Sequence, residues 1–355
     1  MDKYKIDSHK LMYHIDRLYD WSKGKDIYPI YMEVSPAGAC NHRCLYCGLD
    51  FMDYKPRYLD TNIFKKRLTE MGTLGVRSIM YAGEGEPFLH KDIANITRHT
   101  KKSGIDAAIT TNGVLFNKDV AGDILQYAEW IKIGIDGATP ETYSKIHRCS
   151  IKDFDNVITN ISDAVKIKRD KGYKCTIGIQ LLLLPENSKE VLKLAKAIRD
   201  IRADYLIIKP YSQHIQSKTR LYNNVKYADY EYLRKDLASL NTEDFKIIFR
   251  INTMKKWDEK AKQYARCLAL PFWSYIDAGG NIWGCSVYIG NDNFLYGNIY
   301  ENSFKEIWEG ERRAESIKWV EKELDISKCR INCRMDEINK YLWELKNSPE
   351  HVNFI

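Results

Sequence analysis

The chain of 355 residues has no long hydrophobic run. Its longest aliphatic stretch, residues 181–184, is stopped by Pro185 and is far short of the ~20 apolar residues that cross a bilayer. The first ten residues are charged and lack the apolar core of a secretory signal. No block of like charge stands out: 48 acidic residues are interspersed with 55 basic ones, for a net charge of +7, a pattern that argues against nucleic acid as a partner. These absences leave a cytoplasmic protein as the expectation. In a reducing compartment, nine cysteines then speak for metal binding, catalysis or burial rather than for disulfides.

What is present is a globular composition, 44% hydrophobic with 24 tyrosines, on a chain long enough for two cores, since single cores stop growing near ~250–300 residues. Seven of the nine cysteines fall into two groups, while Cys149 and Cys175 stand alone. The first group is Cys40-Asn41-His42-Arg43-Cys44-Leu45-Tyr46-Cys47, directly after a strand-like run at 31–36. Three soft thiolates at that spacing can hold three corners of a cubic iron-sulfur cluster and leave the fourth iron open to a small ligand. A zinc knuckle is the competing reading, but three cysteines are one ligand short, and His42 lies too close in sequence to complete a tetrahedron easily.

Residues 2–28 read as a polar, tyrosine-rich helical lead-in packed across the outside of the main domain. Beyond them, β-branched runs at 31–36, 76–81, 106–110, 130–136, 174–184 and 204–209 alternate with helical patterns at 61–74, 92–103, 117–126, 153–171 and 188–201. Such alternation predicts an α/β fold with a parallel sheet covered by helices, either a partial (β/α)6 TIM-like barrel or an open doubly wound sheet. Ligands of these folds gather at the carboxyl ends of strands. There the sequence places Gly83-Glu84-Gly85-Glu86-Pro87, then Thr110-Thr111-Asn112-Gly113, then Asp136 and, further on, Thr139-Pro140, which reads as a helix cap with proline at the first helical position. Gln180, Lys209 and Pro210 are candidates to line the cavity, and Tyr211, Ser212, Gln213 and His214 are candidate substrate contacts.

The second cysteine group follows a change of character near Asn241. Cys267 and Cys285 flank a hairpin pattern around Ala278-Gly279-Gly280-Asn281, and Cys329 and Cys333 follow a helical stretch at 303–320. Four thiolates make a complete site that suits either zinc or an iron-sulfur cluster. Residues 336–355 begin as a helix with a core-packing stripe and end in a tail that closes over the barrel mouth or frays.

The cysteine spacing, with Tyr46 just before the third thiol, resembles the cluster loop of the radical S-adenosylmethionine (SAM) enzymes, and the second group resembles the twitch form of the SPASM extension found on one branch of them. The resemblance implies a partial barrel over 30–240 after a lead-in at 1–29, a small α+β auxiliary-cluster domain over 241–335, and a terminal helix and tail over 336–355. It implies that Cys40, Cys44 and Cys47 hold a 4Fe-4S cluster whose open iron chelates SAM, and that Cys267, Cys285, Cys329 and Cys333 hold one auxiliary 4Fe-4S cluster. Tyr46, Gly85, Glu86, Pro87, Thr111, Asn112, Asp136 and Arg148 would contact SAM, with Glu86 on its amino group and Arg148 on its carboxylate. The segment at 83–87 departs from the family pattern, since Glu84 stands where a glycine is usual.

The activity implied is hydrogen-atom abstraction from substrate carbon by a deoxyadenosyl radical, with a flavodoxin or ferredoxin as reductant. Loss of a proton and an electron would give dehydrogenation; return of a hydrogen atom, for which Cys149 is a candidate donor, would give epimerisation. With residues 2–28 too short for a leader-peptide module, a carbohydrate-type substrate is expected, with peptide or protein modification as the alternative. A zinc-stapled α/β binding protein is the reading from another class.

Overall fold

The computed structural model describes residues 3–354. Its sheet contains Tyr31–Val34 (β1), Ser78–Tyr81 (β2), Asp106–Thr111 (β3), Ala128–Gly134 (β4), Thr176–Leu182 (β5), Tyr205–Lys209 (β6), Lys246–Phe249 (β7), Trp273–Ile276 (β8), Asn281–Trp283 (β9) and Leu295–Asn298 (β10). They run in the order β10-β9-β8-β1-β2-β3-β4-β5-β6-β7. From β1 through β7 every pairing is parallel, and β8 adds to the other edge of β1 in parallel before turning back through the antiparallel β9 and β10. Since β7 is not paired with β8, the arc stays open and the barrel is partial.

The helices are Ile15–Ser22 (α1), Thr61–Thr73 (α2), Ile93–Lys102 (α3), Lys118–Ile124 (α4), Pro140–His147 (α5), Lys152–Lys171 (α6), Val191–Ile201 (α7), Leu233–Ala238 (α8), Ile251–Glu259 (α9), Phe304–Glu309 (α10), Glu311–Glu323 (α11) and Asp336–Lys346 (α12). Helices α2 to α7 cover the outside of the arc, where fully buried Ile131, Ile133, Ile179, Leu181, Leu206 and Ile208 meet Phe64, Leu68, Ile161 and Ile198. The alternate residues of the same strands face inward. Helix starts follow their capping chemistry: Asp60 accepts from the Ile63 amide at 2.8 Å to open α2, and Thr139 accepts from the Thr142 amide ahead of Pro140 in α5.

Three sequence expectations are corrected. The lead-in does not simply cover the outside: after Tyr4 rests against Tyr205 with ring centroids 5.1 Å apart, Asp7 binds Arg250 and Thr253, so residues 4–10 line the cavity on the inner face of β6 and β7. The described helical elements of the lead-in are one 3-10 turn, Leu11–Tyr13, and the short α1. The sheet continues past residue 240, because β7 at Lys246–Phe249 pairs with β6. The expected helix at 303–320 is two helices; a capping box between Ser303 and Glu306 starts α10, and Gly310, with extended backbone, breaks it from α11. Of the two outcomes expected for the tail, closure over the barrel mouth is not seen, since it is exposed through residue 354; Ile355, with Met1 and Asp2, lies outside the described residues.

Candidate functional site

The cluster loop hangs from the carboxyl end of α5. The Arg43 and Leu45 amides donate to the carbonyls of His147 (3.0 Å) and Ile146 (2.9 Å), which fixes the loop backbone without using a thiol. The Glu86 amide donates to the Ala39 carbonyl at 2.8 Å, and a Cβ at Gly85 would collide with that same oxygen. Only glycine lets the second loop approach this closely. Asn112 completes the cradle by donating its side-chain amide to Asn41 Oδ1 at 2.7 Å. Thus the structure brings together the loops after β1, β2 and β3 around Cys40, Cys44 and Cys47.

Zinc and an iron-sulfur cube ask for different sulfur spacings. Among the described residues no three cysteine sulfurs lie within 4.8 Å of one another, whereas a tetrahedral zinc would draw its sulfurs to about 3.8 Å apart, given Zn–S bonds of ~2.3 Å. The close groups are mixed, His42-Cys44-His147 and His42-Cys149-Asp153, and each uses at most one thiol of the loop. The three loop sulfurs are therefore too spread for a single ion and suit a larger, multi-iron group. Burial pushes the Cys40 thiol up to about 12 and raises Cys44 and Cys47 as well, so thiolates here need the positive charge of a metal.

The other expected SAM-site residues are placed as follows. Glu86 is buried and its carboxylate accepts from Thr111 Oγ1 (2.6 Å) and the amides of Asn112 (2.8 Å) and Phe88 (3.1 Å). It locks the loop after β3; burial nevertheless raises its pKa to about 6. Asp136 is also buried, accepting from the Leu182 amide (2.5 Å) and from the Tyr46 hydroxyl, with His147 Nε2 3.3 Å away. It therefore orients Tyr46. Pro87 opens a short 3-10 turn. Arg148 caps α5 in the left-handed conformation (φ 47°) with an exposed side chain. Cys149 faces the Ser150 carbonyl at 3.6 Å and groups with His42 and Asp153, outside the cavity lining.

Glu84 explains its departure from glycine. Its buried carboxylate accepts from Arg57 at 2.6 Å and from the Ala278 amide at 2.9 Å. It ties the barrel to the β8–β9 hairpin, a role visible only once the hairpin is placed beside β1.

That hairpin carries the second thiol group. Asp277 accepts from the Gly279 amide (2.8 Å), the Asn281 amide (3.0 Å) and Trp283 Nε1 (2.8 Å), closing the turn in which Gly280 takes φ 83°. Cys285 follows and is buried. Burial, and then Cys333, Cys267 and Cys329 as neighbouring charges, hold the Cys285 thiol far above its ordinary value, so the four thiols are near enough to influence one another. Asn339 Nδ2 donates to Cys267 Sγ (3.7 Å), the Met335 amide to Cys333 Sγ (3.4 Å), and Tyr288 Oη lies 3.0 Å from Cys329 Sγ. Donors aimed at sulfur are the usual surroundings of a thiolate cluster.

Between the two thiol groups lies a cavity of about 490 Å³. Its lining includes Gln180, Lys209, Pro210, Ser212 and His214, which the sequence had marked, but neither Tyr211 nor Gln213. Lys132 on β4 and Arg250, Arg330 and Arg334 also line it and were not anticipated.

Fold and site together define an iron-sulfur enzyme built on a partial α/β barrel. Residues 34–198 match the family described as the radical SAM superfamily, and residues 267–334 match the SPASM iron-sulfur cluster-binding domain. The chain belongs to the radical SAM superfamily, on its SPASM/twitch branch. It is 25% identical over 222 residues to GTP 3',8-cyclase of Chlorobaculum tepidum, covering 60% of this chain and 62% of that one, so it spans less than two thirds of that relative. It is 24% identical to the AdoMet-dependent heme synthase of Methanosarcina barkeri, over 76% of this chain and 79% of that one. The structure of Streptococcus suis SuiB bound to S-adenosylmethionine shares the fold, with TM-score 0.64 and 17% identity over 85% of this chain and 70% of SuiB. The cofactors are accordingly SAM and 4Fe-4S clusters, and the zinc-stapled binding protein is set aside. Among the described residues no helix is long and apolar enough to cross a membrane.

Proposed function

We propose that this radical SAM enzyme oxidises a small hydroxylated molecule of carbohydrate type, a sugar, sugar nucleotide or cyclitol, at one carbon. The observation that carries the reading is the cavity itself, whose wall is formed by polar side chains of the barrel strands on one side and by Cys285 and Cys333 on the other. When bound, SAM and the cluster on Cys40, Cys44 and Cys47 supply a carbon-centred oxidant that takes a hydrogen atom, and the auxiliary cluster supplies a one-electron acceptor.

The chain's own residues hold and enclose the substrate. Gln180, Ser212 and Lys209 offer hydrogen bonds suited to hydroxyl groups, and residues 4–10 pack against the inner face of β6 and β7, which limits access of water. Among the described residues the thiols lining the cavity are Cys285 and Cys333, both taken as cluster ligands. With no free thiol on the wall to return a hydrogen atom, dehydrogenation is favoured over epimerisation. Peptide modification is the second reading, because SuiB shares the fold and was also solved with its precursor peptide SuiA.

Anaerobic incubation with SAM and a strong reductant, across sugars, sugar nucleotides, cyclitols and peptides, tests the choice. The expected result is substrate-dependent 5'-deoxyadenosine and a product two mass units lighter from a carbohydrate. Stimulation by peptides alone would replace the first reading with the second.

A further inference from the structure

The barrel interior carries more positive charge than its own carboxylates neutralise. Arg250 is paired with Asp7 at 3.2 Å, Arg334 with Glu33 at 2.9 Å, and Lys256 with Asp336 at 2.6 Å. Lys132 and Lys209 line the same cavity, and among the described residues neither ammonium has an ion pair or hydrogen bond. Lys132 has the face of Trp130, 5.3 Å from the ring centroid, which attracts a cation without cancelling its charge, and feels the Glu33 carboxylate only beyond contact, since Arg334 already pairs with it. Arg330 meets Ser212 Oγ (2.6 Å) and the Ser212 carbonyl (2.8 Å) rather than a carboxylate.

Two unpaired lysines on one wall, on β4 and β6 with β5 between them, are costly to bury as cations. Desolvation, then Arg334 and Arg250, push Lys132 down to about 7; desolvation, then Lys132 itself, hold Lys209 well below its ordinary value. A second observation points the same way. Both side-chain atoms of Asn332 and the hydroxyl of Tyr31 are buried at the cavity wall without a hydrogen-bond partner. The unpartnered donors Asn332 Nδ2 and Tyr31 Oη, around two lysines without a counter-charge, describe a receptor for an anion with several oxygens.

We propose that Lys132 and Lys209 receive the phosphate of a phosphorylated or nucleotide-linked carbohydrate, with Asn332 and Tyr31 as neutral hydrogen-bond donors. The proposal rests on the carbohydrate reading above and adds the charged group by which that substrate is held. Two unmatched charges fit a phosphate dianion better than a single carboxylate.

The test is calorimetric titration of the anaerobically reconstituted, SAM-loaded full chain with inorganic pyrophosphate, glucose 1-phosphate, UDP-glucose, glucose and an oligoglutamate peptide. The expected result is that at least one phosphorylated probe binds, and that Lys132→Gln and Lys209→Gln each weaken it by roughly 30-fold or more. A control at the exposed Lys196, Lys196→Gln, leaves it unchanged. Without probe, both cavity variants melt at or above the wild-type temperature, and pyrophosphate raises the melting point of the wild type but not of the double variant. Equal affinity in wild type and double variant, or no binding of any phosphorylated probe, overturns the proposal. Lysine-independent binding of glucose would leave the carbohydrate reading standing alone, whereas lysine-dependent binding of the peptide without any phosphorylated probe would sink both.

Discussion

The two thiol sites are built in opposite ways. Cys40, Cys44 and Cys47 sit on one loop whose backbone is suspended from α5 and from the neighbouring strand-end loops. Cys267, Cys285, Cys329 and Cys333 come from separate segments, and they meet only because β8 adds to β1 and α12 packs beneath them. The first site is positioned by hydrogen bonds that use no thiol; the second lies in a core of its own, with Trp273, Tyr275, Phe294 and Leu342, where the thiols are part of what is packed. A site of the first kind is a place for chemistry, while a site of the second kind is also a staple.

The sharpest way to break that contrast is to remove one sulfur from each. Cys333→Ala should cost roughly 5 kcal/mol or more, because metal binding there is coupled to folding. Scanning calorimetry of the anaerobic protein, with limited proteolysis across 267–334, reads it; an unchanged melting point would show that the second site is not structural. Cys44→Ala should abolish SAM cleavage while the chain stays folded, its stability moving by about 1 kcal/mol. Iron should fall from about eight to about four per chain, one cube being lost. Loss of both cubes in that variant would make the sites interdependent.

Glu84 is where the two regions are tied, so it measures how far each depends on the other. Glu84→Ala leaves Arg57 and the Ala278 amide without their acceptor. The expected cost is about 3 kcal/mol by urea denaturation. A loss confined to the auxiliary segment, with SAM cleavage retained, would separate the two domains energetically.

Glu86 gives a smaller effect confined to the first region. Burial raises its folded pKa to about 6, above the ~4.5 of an unfolded glutamate, so between those values the folded state binds more protons. Stability of the metal-free chain therefore falls as pH rises through that window, by about 2 kcal/mol from this group. Denaturation of wild type and Glu86→Gln at pH 4.5 and pH 7 isolates it: the variant should lack that part of the slope. An identical slope in both would show that the carboxylate stays ionised through its three hydrogen bonds.

Much of this arrangement is legible in the sequence, and the parts that are not share a cause. The strands β1 to β6 lie within two residues of their alternating pattern because parallel crossovers leave strong local punctuation. The compact thiol loop is legible for the same reason. Lys132 was missed because central parallel strands are apolar on both faces, so sequence alone does not say which residues of β4 turn inward. Glu84 reads as a loop residue until the hairpin at Ala278 is brought beside it. β7 has no counterpart in the sequence pattern because its pairing with β6 follows a long polar connection that carries no periodic signal.

Cys149 carries the smallest expected effect and decides how the comparison bears on the reaction. It lies two residues beyond His147, whose carbonyl suspends the cluster loop, yet its thiol points to the Ser150 carbonyl and to the His42 and Asp153 side of α6. Burial pushes that thiol up to about 12, so it stays a neutral, half-buried group at ordinary pH. Closeness in sequence to the site therefore does not give it access to substrate. Cys149→Ala should change stability by less than about 1 kcal/mol and leave both turnover and product unchanged. If turnover instead collapsed with iron content and fold intact, the thiol would have to reach the cavity during the cycle, and hydrogen return would become the favoured chemistry in place of oxidation. If it does not, the proposed oxidation keeps its support, with Cys285 and Cys333 as the thiols that line the cavity among the described residues.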